Sequence, residues 1–432
     1  MKKKVNKIVA IAIGINIISG SIIPVFAADA AQSISTNNIQ TQMNQKSVLT
    51  LDESIKSSIS ISDTLALDEK KIAYQDKTND ITEKQDDFNN VSGDKKDYND
   101  DSADISLAKL KQQRDFDEDL LIQKVTSKYN DIVTNQMKIQ EAAKQLTIKN
   151  KKLDDAKFKN SLGMTTEIDL KAAELEIVNL QNTQKSSENA LKDALYSFKV
   201  LTDKDVIQYN LEQDANFEPL KIDGSIDEYL DDAIDSYLKY TEQLVKLNKD
   251  YYDRDYEKDN KIAIDDMTTD EKDAIDAKAA IANKTDIIPQ NTIADYEANQ
   301  KTLAKYNKVI NNYTSVLASR LTYFKTKLSN YQDETTLNEN KKKFKDNLKT
   351  YYTNLLTSED KINYYKKNIL INNEKLSNTK FKYDLGMITE SDYNTQVLSC
   401  EDLDLQLRSE IINYNILKEE IQKPWIAFSS SK

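Results

Sequence analysis

The sequence predicts an all-α fold, an elongated antiparallel helical bundle or coiled coil made of two tandem repeats. Three observations predict it. A phrase running from Lys157 to Leu170, with Leu162-Gly163-Met164-Thr165-Thr166-Glu167 at its centre, returns from Lys380 to Tyr393 as Leu385-Gly386-Met387-Ile388-Thr389-Glu390, at a constant offset of 380 − 157 = 223. Apolar residues recur every seven positions on both sides of each phrase, the period of a coiled-coil seam. Only 6 glycines and 4 prolines occur in 432 residues, so the helices meet few breakers.

The chain opens on Lys2, Lys3, Lys4 and Lys7, then an apolar stretch from Ile8 to Val25 and the small-residue site Val25-Phe26-Ala27. That order describes a secretory signal peptide over residues 1–27, with cleavage after Ala27. The alternative is an uncleaved anchor, which Asn16 and Pro24 disfavour. Residues 28–47 lack aromatic side chains and read as a flexible tether.

The first repeat, 48–202, starts at a capping box, Thr50-Leu51-Asp52-Glu53, and the second, 225–424, at Ser225-Ile226-Asp227-Glu228. Upstream of the first phrase Val125, Ile132, Ile139, Leu146 and Leu153 stand seven apart, and adding 223 gives Leu348, Leu355, Ile362, Ile369 and Leu376. Downstream, Leu170, Ile177, Leu191 and Phe198 keep the period, with Gln184 polar. Their counterparts are Tyr393, Cys400, Tyr414 and Ile421, and Leu407 stands opposite Gln184. Each phrase is therefore a short turn joining two long helices into an antiparallel hairpin. Gly163 and Gly386 suit the left-handed position past a helix end, with Met164 and Met387 placed to pack back on Phe158 and Phe381. Thr166 with Asp169, and Thr389 with Asp392, cap the return helices.

Between the hairpins, 203–224 with Pro219 reads as a linker, and 425–432 as a tail. Phe88 to Ser106 reads as an Asp/Asn-rich loop, and an insertion of about 259–300, broken at Pro289, lengthens the second repeat. Arg114 to Ser161 forms one long helix of about 70 Å, and Asp295 to Asp384 a longer one.

Composition excludes most catalytic classes. There is no histidine, which removes the commonest general base, the Ser-His and Cys-His pairs and most zinc sites. A lone Cys400, on the apolar seam opposite Ile177, offers no internal disulfide and reads as a buried structural thiol. No phosphate loop, dinucleotide turn or paired-cysteine motif is present, so no cofactor or metal is expected and the chain is read as a non-enzyme. Removing the four leader lysines leaves 60 − 4 = 56 basic against 72 acidic residues, a balance that repels nucleic acid and anionic lipid. After Ala27 no run matches Ile8–Val25 in length and apolarity, which disfavours a membrane span and a pore-forming toxin.

Two tandem halves, each with a capped acidic opening helix, a long helix, an F-x-x-x-L-G turn followed by T-x-x-D and a return helix, resemble the TolC-type outer-membrane efflux proteins over most of residues 48–424. The resemblance implies a homotrimer whose helices form a hollow α-barrel with the turns at its tip. It implies docking of a periplasmic, membrane-fusion-type adaptor that leads to an inner-membrane pump or ABC exporter. By position, the adaptor-facing residues are Phe158, Leu162, Gly163, Met164, Thr166 and Asp169 with Phe381, Leu385, Gly386, Met387, Thr389 and Asp392. It also implies a location in the cell envelope, the outer membrane if the family's location is retained.

The chain departs from the family where a strand pair for a membrane β-barrel is expected in each half. Asn89 to Lys96 cannot face lipid, and 259–300 has only brief apolar runs such as Ile262-Ala263-Ile264. A relative without the barrel is expected. The competing reading is a secreted coiled-coil structural or surface-adhesion protein. Asp97, Asp100, Asp101 and Asp104 belong to a solvated loop before a calcium site, and the tyrosine pairs 251–252, 351–352 and 364–365 to packing before carbohydrate binding. The turn residues, too, serve as helix punctuation, as docking surface, or as both.

Overall fold

The computed structural model describes residues 47–259 and 268–429. The expected signal peptide, nearly all of the tether, the Ile262-Ala263-Ile264 run and the last three residues lie outside them.

Long uninterrupted helices dominate. After a two-residue strand β1 (Val48–Leu49) come α1 (Leu51–Ile61), α2 (Asp63–Phe88), α3 (Asp94–Ser161) and α4 (Glu167–Thr202). A 3-10 turn (Val206–Gln208) and strand β2 (Asn210–Leu211) lead to α5 (Ile226–Arg254), α6 (Tyr256–Asp259), α7 (Thr268–Ala282), α8 (Ile293–Asp384), α9 (Glu390–Gln422) and α10 (Pro424–Ser429). At ~1.5 Å per residue, the 68 residues of α3 and the 92 of α8 extend about 100 and 140 Å.

The seven-residue seam holds these helices together as two hairpins, α3 with α4 and α8 with α9. Val125, Tyr129, Ile132 and Phe198 form the buried centre of the first, and Leu348, Leu355, Ile362, Tyr414 and Ile421 that of the second. Cys400 is buried on the seam, as expected. The hairpins lie side by side through α3 and α9, where Lys144 pairs with Glu401 at 2.6 Å and Lys151 with Glu390 at 3.1 Å.

The opening helices pack against the far halves of the long ones. Thr50 accepts from the Glu53 N–H while Glu53 accepts from the Thr50 N–H, a reciprocal cap on α1. Ser225 caps α5 through the Glu228 N–H. The 203–224 stretch is more ordered than a plain linker, because β2 pairs in parallel with β1 (Val48 with Asn210, Leu49 with Leu211). Two tyrosines pin it. The Tyr129 hydroxyl accepts from the Glu212 N–H, and that of Tyr414 from the Leu220 N–H.

Phe88 to Ser106 is not a loop. Only Asn89 to Gly93 turns, with Gly93 at φ +66°, and Asp94 onward is already α3. Asp94 and Asp97 in the first turn favour the positive end of the helix dipole. Tertiary contacts then override the poor propensity of Asp and Asn: Asn79 donates to the Ala103 carbonyl at 3.2 Å, and Tyr98 stacks on Tyr251 at 4.1 Å. Asp97, Asp100, Asp101 and Asp104 accordingly lie along a helix. The long helix expected from Arg114 begins 20 residues earlier for the same reason.

The described part of the insertion holds the helix α7. Turn residues 283–292 reverse the chain onto α8, where buried Asn299 donates to and accepts from the Ile288 backbone (2.8 and 2.9 Å). Among the described residues β1 and β2 are the only strands, and no helix is long and apolar enough to cross a membrane. The described positions between each opening helix and its hairpin are helix and turn.

Candidate docking site

The sharpest local feature is the pair of turns. Each long helix ends in a full Schellman motif, in which two amide donors close back on the last carbonyls. Gly163 donates to the Asn160 carbonyl and Met164 to that of Lys159, both at 2.9 Å. Gly386 donates to Tyr383 at 2.8 Å and Met387 to Lys382 at 2.9 Å. The glycines sit at φ +72° and +71°, and a Cβ added at either would meet no atom within 4 Å. Backbone conformation alone therefore demands glycine there.

The return helices begin with matched caps. Thr166 accepts from the Asp169 N–H at 3.2 Å and donates its hydroxyl to the Asp169 carboxylate at 2.7 Å. Thr389 and Asp392 repeat this at 3.1 and 2.7 Å. The Thr166 hydroxyl and backbone amide hold the Asp169 carboxyl below the ordinary aspartate range. Thr389 does the same for Asp392, with a smaller contribution from Lys152.

What the turns display is apolar. Met164 is 71% exposed and Phe158 67%, and Met387 and Phe381 are 68% and 65%. Most of each of these four side chains therefore lies in solvent. Leu162 and Leu385 are exposed beside them. Lys151 to Glu390 and Lys152 to Thr395, at 3.1 and 3.3 Å, bring the start of α9 against the end of α3, so the two tips stand together. The structure therefore brings all twelve sequence-predicted residues to one end of the molecule: the threonines and aspartates shape it, and the leucines, methionines and phenylalanines face outward.

Sequence reasoning missed Ile168, the most exposed apolar side chain of the first tip, whose counterpart is Ser391. Its place one residue before the capping Asp169, off the heptad seam, was the available signal. It also missed the Lys151–Glu390 link between tips, which spans 239 positions and leaves no local pattern. Among the described residues no group of three or more acidic or thiol side chains is placed to hold a metal.

No family profile and no curated protein matches the chain. Solved structures do, among them two channel proteins and an outer-membrane protein. The chain is similar to CusC, a protein that forms a transmembrane channel, at a TM-score of 0.48 and 10% identity, covering 87% of this chain and 91% of that one. It is similar to the outer-membrane channel OprN at 0.48 and 11%, covering 87% and 90%. It is similar to the outer-membrane protein VceC of Vibrio cholerae at 0.44 and 10%, covering 86% and 96%.

Proposed function

We propose that this chain is a TolC-like cell-envelope component of an efflux or secretion system. Its repeats, 48–202 and 225–424, act as two double-helical staves, and three copies assemble into a passive conduit or scaffold. The tips dock a membrane-fusion-type adaptor, which leads to an inner-membrane pump or ABC exporter that supplies the energy.

The observation that supports this most is the twofold repetition of one exposed apolar surface on matched, rigid turns. Rigid helices with capped ends present a preformed patch, and preformed surfaces lose little entropy on binding. Leu162, Met164 and Phe158 with Leu385, Met387 and Phe381 give a partner helix pair apolar knobs. Thr166, Asp169, Thr389 and Asp392 fix the angle at which those knobs stand. No chemistry is required of the site, which fits the lack of histidine and of any acidic cluster placed for a metal among the described residues.

The test is binding of an adaptor α-hairpin from the same cell to the purified chain by calorimetry. Met164→Lys with Met387→Lys should weaken it at least tenfold while the helical circular dichroism is unchanged. Equal binding by the double variant would refute tip docking. The second reading, a structural or surface-adhesion protein, is favoured by the helical segments where barrel strands were sought. It predicts no adaptor binding by the unaltered chain.

A further inference from the structure

The two halves have diverged unevenly. Within the return helices, over 170–198 and 393–421, the offset of 223 leaves Leu175/Leu398, Leu180/Leu403 and Ser186/Ser409 as the identities. In the turn phrase most positions are identical. The fold accounts for part of that set: the glycines by their positive φ, and Thr166 with Asp169, like Thr389 with Asp392, by the caps. It does not account for Lys157, Phe158 and Lys159, which return as Lys380, Phe381 and Lys382 and are exposed in both copies.

Charge at the tips sorts into two groups. The acids that both copies keep are occupied: Glu167 pairs with Lys171 at 2.8 Å, Glu390 with Lys151 at 3.1 Å, and Asp169 and Asp392 accept from their threonines. The lysines that both copies keep are not. Among the described residues Lys157, Lys159, Lys380 and Lys382 make no ion pair or hydrogen bond. Free acids near the ends of the long helices belong to one copy only: Asp154 and Asp155 stand opposite Ser377 and Asn378, and Asp384 opposite Ser161. A single lysine in the last turn would suit the negative end of the helix dipole. Here two straddle a phenylalanine. Sequence neighbours stand about 100° apart around a helix, so each exposed Phe has a basic flank on either side. Leu162 and Leu385 lie four residues on, along the same face as the Phe.

We propose that the partner seated on the tips is an acidic helical hairpin, with aspartates or glutamates flanking the apolar residues that cover Phe158, Leu162, Met164 and their counterparts. The proposal rests on the docking reading above and adds the partner's charge. With the two tips standing together, four unpaired cations gather at one end of a chain whose overall balance is acidic. Free lysines beside an apolar patch speed encounter with an acidic partner and hold off a basic one. Apolar contact then supplies most of the affinity, and the lysines set register and choice of partner.

Calorimetry of the full chain with the adaptor α-hairpin tests it, at about 0.05 M and about 0.5 M sodium chloride. The unaltered chain should lose about tenfold in affinity between the two salts. The chain carrying Lys157→Gln, Lys159→Gln, Lys380→Gln and Lys382→Gln should bind about tenfold more weakly at low salt, with the salt dependence gone and the helical circular dichroism kept. Changing the hairpin's flanking carboxylates to amides should do the same, and the two sets together should cost no more than either alone. Binding by the unaltered chain that ignores both the salt and the four substitutions overturns the acidic partner and leaves tip docking standing. Tighter binding by the substituted chain does so too. A lowered melting temperature with unchanged binding assigns the lysines to the helix dipole and overturns the proposal. No binding by the unaltered chain at either salt overturns docking and the acidic partner together.

Discussion

The buried hydroxyl of Tyr129 donates to the Leu49 carbonyl at 2.8 Å and so fastens the first strand to the long helix of the first hairpin. The same oxygen accepts from the Glu212 N–H at 2.8 Å, so one side chain ties together the chain start, α3 and the segment between repeats. Tyr129→Phe would leave a buried carbonyl and amide without partners, at a cost of about 1–3 kcal/mol. Its repeat counterpart Tyr352 is half-buried and has no such bridge, so Tyr352→Phe should change the urea midpoint little. Equal effects from the two substitutions would contradict the pinning role.

Arg408 links the repeats. It is buried on α9, donates one guanidinium nitrogen to the Asn130 side-chain oxygen of α3 at 3.1 Å and another to the Gln213 carbonyl. Burial pulls its pKa down, with Asp214 and Tyr129 acting against the shift. Lysine cannot reproduce a fork that reaches two acceptors at once. Arg408→Lys should therefore lose about 1–3 kcal/mol in chemical denaturation. An unchanged midpoint would show the link to be dispensable.

Asp117 on α3 lies against Asp68 of α2, whose second carboxylate oxygen is buried without a partner. Burial pushes the Asp117 carboxyl up, Gln113 opposes this, and the adjoining Asp68 adds to it. A carboxyl raised on folding binds its proton more tightly in the native state. Its ionisation therefore costs stability at neutral pH, and the cost disappears below the ordinary aspartate range. Asp117→Asn should raise the neutral-pH melting temperature by up to about 2 °C, with the gain vanishing in acid. A gain that persists unchanged at low pH would argue against the carboxyl contact.

The tip caps have the opposite sign. Asp169 and Asp392 are held below the ordinary aspartate range, so the contribution of each is complete above that range and is lost as pH falls through the lowered midpoints. Amide exchange in the first turns of α4 and α9 should speed up there, and Thr166→Ala or Thr389→Ala should produce the same local fraying at neutral pH. Titration of both carboxyls at ordinary midpoints would contradict the caps.

The parts legible in the sequence were those written locally. The heptads at Val125 and Leu348, the left-handed Gly163 and Gly386 and the Thr-x-x-Asp caps each follow from a few neighbouring residues, and each stands as read. The start of α3 was illegible because Asp94 to Ser106 is a weak helix former by itself. It is helical because Tyr98 finds Tyr251 and Asn79 finds Ala103, contacts spanning 24 positions or more. The pairing of β1 with β2, across 162 positions (210 − 48), was hidden for the same reason. At the tips the sequence named the residues but not their exposure, since Met164 packed on Phe158 and Met164 open to solvent share one pattern.

Static light scattering on the full chain at micromolar concentration tests the central claim most directly. Edge-to-edge staves predict a particle of three times the chain mass, unchanged on dilution through the micromolar range. A strict monomer over that range would contradict it.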